Sequence, residues 1–273
     1  MLSSNRRLGF SVDRQTISPL RQARTSAWSF TTSRIAVVTG ASRSESIGFE
    51  VCRQLAQTGM KVILTATNHS PAQHRAGELA SGGFDVVGCQ LDVASQASVN
   101  HLRDYVAREF GHLDVLVNNA SGAPLFSEQA ATADLAAAKR VFDVTVFGSW
   151  RMIQAFIPLL RKSSHPRVVN VSSGAGSHGD TVFGLTTKTE MGTSYAAAKA
   201  ALNALTIKFA RQEESRRLLI NTVCPGLTST FESGSATRTR SVADAAASVV
   251  WAALLDDAGP TGGFFRDGKP LPW

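Results

Sequence analysis

Apolar residues recur along this chain in two alternating rhythms. Short runs rich in Val, Ile and Leu alternate with longer stretches in which apolar positions return every three or four residues. The first rhythm suits strands buried on both faces, the second amphipathic helices. The expected strands are 35–39, 61–66, 85–90, 113–118, 167–172, 218–223 and 263–266, with helical stretches between most of them. The segment RIAVVTGASRSESIGFEVCRQLA opens the series. Ile35 to Val38 form the apolar run, a glycine-bearing turn follows from Gly40 to Gly48, and Ile47, Val51 and Leu55 repeat at helical spacing. KVILTA comes next, after the turn at Gly59, as a right-handed βαβ unit requires. No linker, repeat or shift of composition interrupts residues 34–273. The pattern therefore predicts one α/β domain, a doubly wound parallel sheet with helices on both faces. Ligands of such sheets bind beyond the carboxyl ends of the strands. Gly40, Asp92, Asn118, Ser173 and Pro225 each fall just after a predicted strand.

At 273 residues and 43% hydrophobic, the chain can bury a substantial core. No apolar run approaches the roughly 20 residues that a membrane span needs, so no membrane partner is expected. The net charge of +7 is unevenly placed. Residues 1–33 hold Arg6, Arg7, Arg14, Arg21 and Arg24 against Asp13 alone, a share of +4 that leaves +3 for the remainder. A near-neutral folded part gives no basic footprint for nucleic acid. The leader is Ser/Thr-rich and almost free of acid, which fits a transit peptide, a disordered tail or a misassigned start. It is left out of the predicted fold, and the expected location is cytoplasmic, or mitochondrial if the leader is a targeting segment. Cys52, Cys89 and Cys224 have neither disulfide nor metal-ligand spacing and read as buried thiols of a reducing compartment. The histidines form no ligand cluster, and no metal site is expected.

Two features carry chemistry. The turn at 40–48 would point backbone N–H groups and the positive end of a helix at an anion, as a pyrophosphate cradle does. In TSYAAAKAALNAL, Tyr195 and Lys199 lie four apart on a predicted helix, where Cβ atoms are roughly 6 Å apart. A cation so placed is expected to lower the phenol pKa from about 10 towards neutrality, as a general acid or base requires.

With TGASRSESIG, LDV at 91–93, NNASG at 118–122, NVSSGAG at 170–176, YAAAK at 195–199, CPG at 224–226 and GPTGGFFRDGKPLPW at the end, the chain resembles the short-chain dehydrogenases/reductases, most closely their carbonyl-reductase-like branch. The likeness covers residues 34–273. It implies a Rossmann fold and NAD(P)-dependent conversion of a carbonyl to an alcohol or the reverse. By that resemblance Ser173 polarises the substrate carbonyl, Tyr195 donates the proton, and Lys199 binds the nicotinamide ribose and holds the tyrosine pKa down. Gly40, Ser42, Arg43, Ser46, Ile47 and Gly48 form the phosphate loop. Thr67 stands at the end of the second strand, and Asp92, Val93, Asn118 and Ala120 border the adenosine. Pro225, Gly226 and Thr230 border the nicotinamide. With no acid among Ala66, Thr67 and Asn68 to repel a 2′-phosphate, and Arg43 nearby, NADP(H) is the expected cofactor, with NAD(H) possible.

Two departures qualify the likeness. The phosphate loop is two residues longer than usual, and Ser46 replaces its middle glycine, so a Cβ stands where pyrophosphate would approach. Thr145 stands where the family carries an asparagine that holds a proton-relay water. Phe183, Leu185, Met191, Leu227 and Phe231 are candidates for an apolar substrate wall, and residues 227–240 for a lid. The expected partner is a small-molecule carbonyl, with the chain a monomer or homo-oligomer. Three readings stay open: a reductase, a nucleotide-binding sensor or scaffold, and a non-redox enzyme such as a dehydratase or cyclase. Enoyl reduction is a minor fourth, because Leu202 stands where that group carries its lysine.

Overall fold

The computed structural model describes residues 33–124, 128–188, 192–228 and 239–273. Residues 1–32 of the leader, Met191, Thr230 and Phe231, and residues 229–238 of the predicted lid lie outside the described residues. The seven predicted strands form as β1 Ile35–Val38, β2 Lys61–Ala66, β3 Val86–Gln90, β4 Val115–Asn118, β5 Arg167–Val171, β6 Leu219–Val223 and β7 Phe264–Arg266. They lie in one sheet in the order β3-β2-β1-β4-β5-β6-β7, all parallel. An eighth strand, β8 Lys269–Pro270, adds an antiparallel edge. Its turn residues Asp267 and Gly268 have φ of 54° and 72°, the left-handed conformation that an Asp-Gly hairpin supplies.

Among the described residues seven α-helices cover the sheet: α1 Ile47–Gln57, α2 His69–Ser81, α3 Gln96–Phe110, α4 Leu135–Phe142, α5 Ser149–Leu160, α6 Thr193–Glu213 and α7 Val242–Ala253. Alternate residues of β1 divide the core between the two faces. Ile35 and Val37 meet α3, α5 and α6, whereas Ala36 and Val38 meet α1, α2 and α7. The strand order reverses between β1 and β4, and a crevice opens there at the carboxyl ends, as it does in doubly wound sheets.

Helices α4 and α5 are joined by one π-helical turn, Asp143–Gly148. The turn holds Thr145, fully buried, against the segment that follows β4. At its end Gly148 passes so close to Val93 that a Cβ would lie 2.7 Å from Val93 Cγ2. The helix can therefore approach the crevice only with glycine at that position.

At the opposite end of the sheet, the buried Arg167 guanidinium donates to Asp257 at 2.7 Å and to the carbonyl of Leu255. The bond from Arg167, seconded by that from His165, holds the Asp257 carboxyl down at about 2. A depressed carboxyl stabilises the fold above its ordinary pKa of 3.8 and loses that contribution as pH falls through about 2. The Asp257 side chain is 37% exposed, so solvent screening keeps the pair to about 1 kcal/mol. Asp257→Asn is expected to lower the melting temperature by about 2–4 °C at pH 7 and by progressively less between pH 4 and pH 2. Calorimetric scans across that window check it, and a pH-independent loss would refute the pairing.

Candidate active site

The phosphate loop is shaped by contacts with the turn after β4. Gly40 has φ 73°, and a Cβ there would stand 2.9 Å from Ala120 Cα. The Asn119 amide donates to the carbonyls of Thr39 and Gly40, both at 2.9 Å, and Thr39 Oγ1 accepts from the backbone N–H groups of Asn119 and Ala120. Ser46, buried, caps α1: its hydroxyl donates to the Arg43 carbonyl at 2.7 Å and accepts from Phe49 N at 3.3 Å. The hydroxyl is thus committed to the helix end. The first-turn N–H groups of Ile47 and Gly48 have no acceptor inside the helix, and they open on the crevice.

Most predicted cofactor residues share this crevice. Gly40, Ser42, Arg43, Ser46, Ile47, Gly48, Thr67, Asp92, Val93 and Ala120 line it, with Asn119, Ser121 and Gly122. Asn118 does not. Its amide donates to Asn170 Oδ1 at 2.9 Å inside the sheet, and Asn119 occupies the crevice wall instead. Asp92 accepts from Ala94 N at 2.9 Å, which fixes its carboxylate at the rim.

Tyr195 lies where this crevice meets a second, mostly apolar pocket lined also by Ser172, Ser173, Phe183, Cys224, Pro225, Gly226 and Leu227. Leu185 is outside this lining. Ser173 follows β5 and lines the pocket beside the Tyr195 phenol, its hydroxyl accepting from Ala175 N at 3.2 Å. Lys199, one turn along α6, is buried beneath the ring with Nζ 5.4 Å from its centroid. That ammonium donates to the Val171 carbonyl at 2.8 Å.

The electrostatics of the pair run opposite to the sequence expectation. Burial pushes the Tyr195 phenol up to about 12, only partly offset by the Ser173 hydroxyl, and burial pulls Lys199 down to about 7. Desolvation disfavours both charged forms. With its ammonium held by Val171, Lys199 by itself does not lower the phenol. Tyr195 is accordingly a protonated donor at neutral pH, and Lys199 titrates close to neutrality.

Thr145 makes no hydrogen bond with Lys199 among the described residues. Its Oγ1 accepts from Gly122 N at 3.1 Å and shares a hydrogen bond with Ser121 Oγ at 3.2 Å, so it braces the crevice wall. The sequence reading also missed Glu128 and the pair Asp180–Arg266. Glu128 accepts from Ser194 N at 2.6 Å and so caps the helix of Tyr195 from 66 residues away. Arg266 donates to Asp180 at 2.7 Å behind Ser173. Neither has a local sequence signal, since the partners come from distant segments. The wall carrying Phe183 is fastened at its start: Ser177 Oγ donates to the Pro272 carbonyl and Gly179 N to that of Trp273.

Comparison with known proteins gives one consistent picture. The family model described as short chain dehydrogenase matches residues 34–241. The chain is 32% identical to (+)-neomenthol dehydrogenase of Arabidopsis thaliana, over 86% of this chain and 96% of that protein. It is 34% identical to (-)-isopiperitenone reductase of Mentha piperita, over 87% of this chain and 98% of that one. Among solved structures, salutaridine reductase from Papaver somniferum superposes with a TM-score of 0.71 at 28% identity, covering 86% of this chain and 99% of that one. No metal-binding group of His, Cys, Asp and Glu occurs among the described residues. No described helix is long and apolar enough to cross a membrane.

Proposed function

The chain belongs to the short-chain dehydrogenase family, whose members are NAD(P)-dependent oxidoreductases acting on CH–OH and carbonyl groups, and from that premise we propose that it reduces a ketone or aldehyde with NADPH. The observation that carries this reading is the position of Tyr195, at the junction of a nucleotide-sized crevice and an apolar pocket, with Ser173 beside it in the pocket lining and Lys199 below.

The chain's own residues fit a nicotinamide nucleotide. The N–H groups of Ile47 and Gly48 suit a pyrophosphate and Asp92 an adenine amino group, and Lys199, below the Tyr195 ring, would hold the ribose hydroxyls. Arg43, with no carboxylate at the end of β2, favours a 2′-phosphate. The bound nucleotide would supply the hydride. Ser173 orients and polarises the substrate oxygen, and Tyr195 gives that oxygen its proton. The phenol held near 12 keeps Tyr195 protonated for reduction at neutral pH. Lys199, with its Nζ below the phenol ring, is the chain's own group from which that proton would be replaced. The Thr145 hydroxyl, committed to Ser121 and Gly122, takes no part in that replacement.

Calorimetry with NADPH and NADH, followed by nicotinamide absorbance with a panel of ketones and aldehydes, tests the proposal. NADPH is expected to bind about tenfold or more tightly than NADH, the worth of a charge-assisted phosphate contact, and to be consumed only when a carbonyl is present. Binding without turnover would favour the sensor reading, for which the engaged Thr145 hydroxyl is the specific observation. No binding of either nucleotide would sink both.

A further inference from the structure

One charged side chain in the apolar pocket is left out of the proton chemistry. Arg266, the last residue of β7, lines the same pocket as Ser173 and Tyr195, opposite largely apolar residues such as Phe183, Leu227 and Pro124. Its Nη2 donates to Asp180 Oδ2 at 2.7 Å and to Cys224 Sγ at 3.2 Å. Nε is sealed from solvent without an acceptor, and Nη1 makes no bond with any described residue. A guanidinium carries five N–H donors in a fixed fork, and a buried donor left unmade costs about 1–3 kcal/mol. The neighbouring apolar side chains offer Nη1 nothing. Its acceptor must come from water or from whatever enters the pocket.

Two further observations define that acceptor. The first is nearness to the reacting centre: a Cβ on Gly174, the residue after Ser173, would lie 2.7 Å from Arg266 Nη2 and 2.3 Å from Asp180 Oδ2. The guanidinium therefore sits against the loop that holds the substrate oxygen. The second is charge. Asp180, its side chain only 3% exposed, spends Oδ2 on Arg266 and Oδ1 on the N–H groups of Val182 and Phe183. The positive charge of Arg266 is already balanced, and a second carboxylate in this wall would be a surplus anion next to apolar groups.

Resting on the reading of this pocket as a carbonyl site, we infer that Arg266 is a specificity-determining residue, selecting carbonyl compounds that carry a second, uncharged oxygen acceptor, a hydroxyl or another carbonyl, close to the reacting one. The reacting oxygen lies between Ser173 and Tyr195, and the second oxygen accepts from Arg266. Monofunctional carbonyls leave the donor unmet and bind more weakly.

The test uses the full chain loaded with NADP⁺, which cannot reduce a ketone, so that binding is measured apart from turnover. Calorimetry compares cyclohexanone, cyclohexane-1,2-dione, which has no CH–OH group for NADP⁺ to oxidise, and the 2-oxocyclohexanecarboxylate anion. The dione is expected to bind about tenfold or more tightly than cyclohexanone, as a hydrogen bond from a charged donor warrants, and the carboxylate to show no such gain. Arg266→Met alone strands the Asp180 carboxylate and can unfold the wall, so the decisive variant pairs it with Asp180→Asn. There cyclohexanone and the dione should bind within about twofold of each other, since no charged donor remains. Equal affinities in the unsubstituted chain, a gain that survives in the double variant, or tighter binding of the carboxylate would each overturn the inference. Arg266-dependent selectivity without any NADPH-driven reduction would support it while sinking the proposed reaction.

Discussion

Tyr195→Phe is expected to lower carbonyl-dependent NADPH oxidation by about 10²- to 10⁴-fold, the usual worth of a positioned general acid. The substitution removes one oxygen and keeps the ring that borders both the crevice and the pocket, so nucleotide affinity is largely retained. The loss should appear in kcat as well as in kcat/KM, because the proton moves only as the transition state forms. The chain has two tyrosines, which makes the phenol directly observable. Burial raises Tyr105 above its ordinary value, and burial takes Tyr195 to about 12. An ultraviolet titration of the chain without nucleotide should show both ionising above pH 10, with the higher transition missing from the Phe variant. A Tyr195 transition near neutrality would mean that Lys199 controls the phenol without help. Retained turnover in the Phe variant would remove Tyr195 from the reaction.

Gly48→Ala is expected to weaken nucleotide binding by roughly 10–100-fold, the loss of one or two hydrogen bonds to a charged ligand. The new Cβ would sit 2.5 Å from Asn119 Nδ2 and 2.6 Å from the Gly40 carbonyl oxygen. Relief requires either the amide that ties β4 to the phosphate loop to move, or the first turn of α1 to back away. Both displace the N–H groups of Ile47 and Gly48. Thermal stability should fall too, by about 1–3 kcal/mol, as expected of overpacking. Gly77→Ala in α2 is the matched control: nothing lies within 4 Å of a Cβ there, and a helix-interior alanine should leave binding untouched while adding up to about 1 kcal/mol of stability. Calorimetry on both variants separates the cases, and normal NADPH affinity in the Gly48 variant would show that this turn does not form the anion site.

The sheet was legible because buried parallel strands advertise themselves. Runs such as IAVV and KVILTA have both faces covered, and nothing polar interrupts them. The short β8 carries no such run, yet its Asp-Gly turn in RDGKP was a usable signal that the strand pattern overshadowed. That Ser173, Tyr195 and Lys199 lie together was legible from motif order. Their electrostatics were not, because helical spacing fixes the distance between Tyr195 and Lys199 but says nothing of how deeply both are buried, and desolvation outweighed their proximity. The neighbours Asn118 and Asn119 point to the same limit. Both follow from the NNASG motif, and only the three-dimensional contacts reveal that the first is spent on Asn170 and the second faces the crevice. Thr145 lies in a π-helical turn, whose wider repeat turns its hydroxyl to Ser121 and Gly122, a direction that a helical wheel does not give. The Asp180–Arg266 pair joins segments 86 residues apart, beyond any local pattern.

The fastening of the pocket wall by Pro272 and Trp273 has a consequence for how the protein comes into being. Ser177 and Pro272 are 95 residues apart, and translation supplies the two halves of that bond in order. The phosphate loop, β1 to β5 and the helix of Tyr195 all leave the ribosome before the residues that secure the wall. A nascent chain can therefore acquire its nucleotide crevice while the substrate side is still open, and only the later-emerging Pro272 and Trp273 complete the second half of the site.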